Sequence, residues 1–192
     1  MKTISKRHTP ALGVLASLLC LACSPSDQGT GGTVGPGIEK TRVGEINATI
    51  DGAPYRGETL VVPSEGTSTA EFMTIGAMTL INLQAHDPEA DSMLNNVLAI
   101  EFSLTGDDVS APVTGASASY YPQGMGEPFY MSEGEGEAEV VLEALSLEDG
   151  AASAAGRFTA TLCRMADAFT EADPNDCVSV EGTFETALQQ RG

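Results

Sequence analysis

The chain has 192 residues, with 9 Lys and Arg against 27 Asp and Glu for a formal charge of −18, and it is 42% hydrophobic with 21 Gly and 10 Pro. At roughly 150 residues per domain, that length fits one compact domain plus additional segments and argues against a second large one. The acidic balance repels phosphate and so excludes DNA, RNA and acidic-lipid binding, which rest on Lys and Arg releasing counterions, and the apolar content is not that of a disordered acidic tail.

Residues 1–22 have the three parts of a secretory signal peptide: a basic start (Lys2, Lys6, Arg7), an apolar run over 11–22, and small residues at its end. As a helix the run spans about 18 Å against a hydrocarbon core of about 30 Å, too short for a permanent membrane span. It ends Leu19-Cys20-Leu21-Ala22-Cys23-Ser24. This resembles a bacterial lipoprotein signal, with Cys20 standing where Leu is more usual. The resemblance implies cleavage before Cys23 and acylation of Cys23, palmitate included. Because Ser24 and not Asp follows, it also implies transfer to the outer membrane. Each buried CH₂ contributes about 0.8 kcal/mol, so two or more acyl chains anchor stably where one does not.

With Cys20 removed and Cys23 acylated, Cys163 and Cys177 are left as an even pair in an oxidising compartment, and a disulfide between them is expected. It would close a loop of about 15 residues, for which chain entropy gives about 3 kcal/mol of stabilisation. Two thiolates without a third ligand nearby make a poor zinc site. Residues 23–42, SPSDQGTGGTVGPGIEKTR after the cysteine, read as a flexible lipidated linker. Its reach is about 25 Å for roughly 20 residues, enough to lift a domain off the headgroups.

From Val43 the period becomes two. Ile46, Ala48 and Ile50 share one face, Glu45, Asn47 and Thr49 the other, and Asp51-Gly52 follows as a hairpin turn. The return strand covers 55–62, and half-buried strands are expected over 72–78, 79–85 and 97–104. Further strands are expected at 117–121, 129–132, 139–145, 157–163 and 177–188, with Gly182 a possible bulge. Helical spacing occurs once, over 164–172, where Met165, Ala168 and Phe169 fall at i, i+3 and i+4. About nine or ten short strands over 43–188 predict an antiparallel β-sandwich, a small β-barrel being the alternative, with at most one short helix and a tail at 189–192.

Two further stretches carry a resemblance. The opening Ile46-Asn47-Ala48-Thr49-Ile50-Asp51-Gly52-Ala53-Pro54-Tyr55 and the closing Val178-Ser179-Val180-Glu181-Gly182-Thr183-Phe184, echoed by Gly156-Arg157-Phe158-Thr159-Ala160, are similar to uncharacterised bacterial secreted β-sandwich lipoproteins. Tyr55 stands where Trp is more frequent there. The family brings no established activity and no functional residue.

Catalysis near neutrality usually employs histidine. The processed chain would keep only His86, within Ala85-His86-Asp87-Pro88-Glu89-Ala90-Asp91, which reads as a solvated turn. No Gly-x-Ser-x-Gly elbow is present, so a catalytic triad would have to be built around His86. Paired carboxylates remain as a hydrolase alternative, but with no Trp, six Phe and four Tyr the aromatic platforms that commonly line sugar clefts are scarce. Calcium has weak candidate ligands in three acidic loops: Asp87, Glu89 and Asp91; Glu133, Glu135, Glu137 and Glu139; and Asp173, Asn175 and Asp176. None of these matches a calcium-loop signature, so no cofactor is expected, and a solvated acidic face that keeps the protein soluble and monomeric is the simpler reading.

The segment 120–131 is apolar where a loop should be polar. Tyr120, Tyr121, Met125, Phe129 and Tyr130 form a candidate recognition tip for an envelope protein or glycan, the alternative being strand ends whose aromatics alternate between core and surface. The resulting expectation is a lipid-anchored, non-catalytic binding or structural module of the cell envelope, with a carboxylate hydrolase or a calcium-stabilised adhesion domain as alternatives.

Overall fold

The structure, a computed structural model, describes residues 39–124, 126, 128–132, 138–166 and 170–191. The first hairpin forms where the alternation ends in a turn. β1 (Thr41–Ile50) and β2 (Ala53–Val62) are joined through Asp51 (φ 50°) and Gly52 (φ 78°), the paired left-handed residues that a two-residue turn between twisted strands demands. Next come β3 (Thr67–Ser68), β4 (Ala70–Ile75) and β5 (Met78–His86), then β6 (Val97–Thr105), β7 (Val113–Tyr121) and β8 (Phe129–Met131). β9 (Ala138–Ser146), β10 (Ser153–Met165), β11 (Asp173–Ala187) and β12 (Gln189–Gln190) complete the order.

Hydrogen bonding links the strands in the order β12-β4-β5-β6-β7-β8-β10-β11-β1-β2-β3, with β9 on β10 and a further pairing of β2 with β5. Every pairing is antiparallel except β12 with β4. β3 pairs with β2, and after Thr69 the same run continues as β4 on β5, so this stretch carries the chain from one layer to the other. β8 links the layers on the other side by bonding both β7 and β10.

The inward faces meet in one core. Ile46, Phe158, Leu162 and Val180 of one layer and Ile81, Leu83, Ile100 and Phe102 of the other are all buried. Phe102 and Phe184 bridge the layers with ring centroids 6.0 Å apart. The fold is therefore all-β and sandwich-like, a mixed sheet folded over one core, as the alternating pattern predicts.

Three expectations are corrected. The described residues contain no helix: Arg164 and Met165 belong to β10, opposite Tyr130 and Phe129, and Asp173 opens β11. Nine residues are too few to offset helix nucleation against strand pairing. Asp167, Ala168 and Phe169, the middle of that segment, lie outside the described residues. Gly182 is not a bulge, for it holds regular register with Ala48 and Phe158. A Cβ there would meet Asn47 O at 2.5 Å and Ala48 Cβ at 2.7 Å, so close strand approach is what demands glycine. The expected tail is part of the sheet: Gln189 and Gln190 pair with Glu71 and Phe72, and Arg191 N donates to Phe72 O at 2.8 Å.

Candidate functional site

Tyr120 and Tyr121 close β7, and Phe129 and Tyr130 open β8. The register sets Tyr120 opposite Tyr130 and so brings Phe129 beside Tyr121. Strand alternation then sorts the four. Tyr120 and Tyr130 turn inward and pack half-buried against the core, 6.4 Å apart, with Tyr55 edge-on to Tyr120 at 6.4 Å. Tyr121 and Phe129 take the opposite face, where their rings, half-buried like those of the inner pair, stack at 5.6 Å and 21°. The expected recognition tip thus divides into an inner pair packed on the core and an outer pair on the opposite face of the same strands. Met125 lies outside the described residues.

A polar framework holds the inner pair. The buried Tyr55 hydroxyl donates to Ala85 O at 2.9 Å and to Asn96 O at 3.2 Å. The Tyr120 hydroxyl donates to Asn96 Oδ1 at 2.7 Å, and Asn96 Nδ2 donates to Asp87 Oδ2 at 2.5 Å. Asn96 N donates to Pro122 O at 3.2 Å, and its backbone is left-handed at φ 54°. Burial pushes the Tyr55 phenol well above its ordinary range. Burial, with the charge of Asp87 and the neighbouring Tyr130, pushes Tyr120 the same way. Both hydroxyls therefore remain protonated donors. Asn96 escaped the sequence reading because its four partners, Tyr55, Asp87, Tyr120 and Pro122, are scattered along the chain.

The Cys163–Cys177 disulfide is formed, 14 residues apart in sequence. The cysteines are register partners across β10 and β11, and Cys163 also faces Met131 of β8, so the bond clips the sheet beside the aromatic end.

The acidic candidates fall on separate connections. Asp87 Oδ1 accepts from Glu89 N at 2.8 Å, Asp173 Oδ1 accepts from Asn175 N at 2.9 Å, and Asp176 Oδ2 lies 3.5 Å from Arg164 Nη1. Glu89 and Asp91 are exposed in the connection after β5. Among the described residues no three His, Cys, Asp or Glu side chains group as a metal site would require. Glu133, Glu135 and Glu137 lie outside the described residues.

His86 is not the solvated turn residue that its sequence context suggests. It ends β5, is only 6% exposed, and its Nδ1 lies 2.7 Å from Met93 O. Its Nε2 is buried and meets no partner among the described residues. A groove of about 220 Å³ on the outer face of β4 to β7 is lined by Glu71, Met73, Leu80, Asn82, Glu101 and Arg191. Its polar groups are already engaged with one another, Arg191 Nε with Glu71 at 3.6 Å and Asn82 Nδ2 with Glu101 Oε1 at 2.8 Å.

These features define an all-β, sandwich-like domain with a disulfide-clipped aromatic end. Compared with known proteins, the chain matches no family model, and no curated protein or solved structure matches it significantly.

Proposed function

We propose that the chain is exported, anchored to the bacterial outer membrane by acyl chains on Cys23, and serves there as a non-catalytic binding module that meets its envelope partner with Tyr121 and Phe129. The observation that carries this reading is the outer aromatic pair itself: two stacked, partly exposed rings at the adjoining ends of β7 and β8, next to the hydrogen-bonded Tyr120 and the disulfide. Exposed aromatic clusters on rigid supports are the usual anchors of recognition surfaces.

Two further facts support it. The disulfide commits both domain cysteines to an oxidised pair, which fits a compartment outside the cytosol. β1 begins at Thr41, so the last two residues of the expected linker, Thr41 and Arg42, already belong to the sheet, and it finishes at Ile50 opposite Val180, three residues from Cys177. The aromatic pair lies beyond that end of β1, about 30 Å along the strand from Thr41 at about 3.3 Å per residue.

The test has two arms. Mass spectrometry of the membrane fraction finds an amino terminus at Cys23 bearing acyl chains, and Cys23→Ala releases a folded protein. An uncut, unacylated wild-type terminus defeats the anchoring. In the second arm, Tyr121→Ser combined with Phe129→Ser leaves the thermal midpoint within a few degrees of wild type while abolishing cross-linking to envelope components. A fall in stability as large as that of a core truncation, about 3–5 kcal/mol per aromatic, assigns the pair to structure instead.

A further inference from the structure

His86 belongs neither to the core nor to the aromatic framework. Thr79, Ile81, Leu83 and Ala85 are the inward residues of β5, so the next position projects to the outer face, where a side chain ordinarily meets water. His86 is nevertheless 6% exposed. The connection over residues 87–96 reaches it there, through Met93 O at 2.7 Å from Nδ1. His86 also makes the one register pair between β2 and β5, with Glu58.

A carbonyl oxygen only accepts, so Nδ1 must carry the proton, and Nε2 of the neutral ring is left as a bare lone pair. That atom is buried without a donor among the described residues. In the neutral ring the cost is one unmade hydrogen bond. A proton arriving at Nε2 would instead create a desolvated cation with nothing to accept from it.

No neighbouring group compensates. Lys40, ahead of β1, opposes a second positive charge. Glu58 of β2 faces Arg42, whose Nε lies 3.5 Å from its Oε1. Asp87 is committed to Glu89 N and Asn96 Nδ2, and Glu89 and Asp91 are exposed on the connection. The connection has turns of its own, Ala90 N to Asp87 O at 3.3 Å and Asn95 N to Ser92 O at 3.0 Å, and its far end is tied down through Asn96. Between those ends, the bond to His86 ties it to the sheet.

We propose that His86 is an acid-released latch: the neutral ring holds residues 87–96 closed over the outer face of β5, and protonation at Nε2 lets that connection open so that the charged ring reaches water. Burial holds the His86 pKa below its ordinary 6.5, Lys40 acts in the same direction, and the Met93 carbonyl opposes them. The closed form therefore binds fewer protons than the open one. Closure is fully favoured above pH 6.5 and is lost as pH falls from there through the depressed value. Over that window the opening constant rises by up to about tenfold per pH unit.

The test is native-state hydrogen exchange of the Ala90 and Asn95 amides in the full chain, from about pH 7.5 down to about pH 5, with side-chain nitrogen shifts of His86 recorded alongside. After correction for intrinsic exchange, wild-type protection falls by about tenfold per unit below the onset, and His86→Gln shows no such dependence. The shifts report a proton on Nδ1 at the upper pH. Protection that is independent of pH in wild type overturns the latch, as does equal dependence in His86→Gln. Should His86→Gln not fold, the wild-type titration decides alone: a proton on Nε2 at high pH, or titration at or above 6.5, sinks the proposal.

Discussion

At the residue scale, Gly44 is one of the places where strands pack too closely for any side chain. It sits in β1 between Thr59 of β2 and Thr186 of β11. With no side chain between them, the two buried hydroxyls meet across β1 at 2.6 Å, and the Thr186 hydroxyl donates to Ala187 O at 2.9 Å. Any Cβ at Gly44 would collide with Thr186 and with Glu185 O. Gly44→Ala should therefore cost about 1–3 kcal/mol by overpacking, whereas Thr59→Val removes one buried hydrogen bond and should cost about 1 kcal/mol. Urea denaturation with an unchanged slope checks both. A Gly44→Ala variant as stable as wild type would mean that the strands separate there without penalty. The sequence displays Gly44 as one glycine among 21, because its constraint is set by strands distant in the chain.

At the element scale, β10 and β11 form the longest ladder, from Ser153 opposite Ala187 to Arg164 opposite Asp173. The disulfide closes its far end. Period-two alternation made both strands legible: Phe158, Ala160 and Leu162 are buried while Arg157, Thr159 and Thr161 are exposed. The expected helix between them is cut short at both ends, because Arg164 and Met165 extend β10 and Asp173 opens β11. Replacing Cys163 and Cys177 with Ala together should leave the ladder folded but cost about 3 kcal/mol through regained loop entropy. For a domain of this size that lowers the thermal midpoint by roughly 6–12 °C. Calorimetry of the double variant checks the figure, and a shift under about 2 °C would show that β8 and the ladder already hold this end without the bond.

At the scale of the whole molecule, the formal charge of −18 and pI of about 4.1 dominate the surface. The few cations are spent locally: Arg56 pairs with Glu45 at 3.3 Å, Arg42 with Glu58 at 3.5 Å and Arg157 with Glu143 at 3.0 Å, all partly or largely exposed. Pairs in such positions are worth roughly 0–1 kcal/mol each, too little to offset the repulsion among the remaining carboxylates. Raising salt from about 10 mM to about 150 mM shortens the screening length from about 30 Å to about 8 Å, so the thermal midpoint at neutral pH should rise by several degrees. A midpoint that falls with salt would mean that the ion pairs outweigh the repulsion.

The amino-acid order alone determined the all-β class, most strand positions, the first hairpin turn and the pairing of the last two cysteines. Each of these follows from local alternation, local turn chemistry or simple counting. It could not reveal that β3 and β4 carry the chain between layers, that Tyr55 lies against Tyr120, or that a polar-looking connection reaches over His86. Those outcomes depend on which strand lies beside which, and comparable alternating patterns on many strands permit several neighbours until the two layers close on one core. Only that closure set Asn96 among Tyr55, Tyr120 and Asp87, and only that closure took His86 out of water.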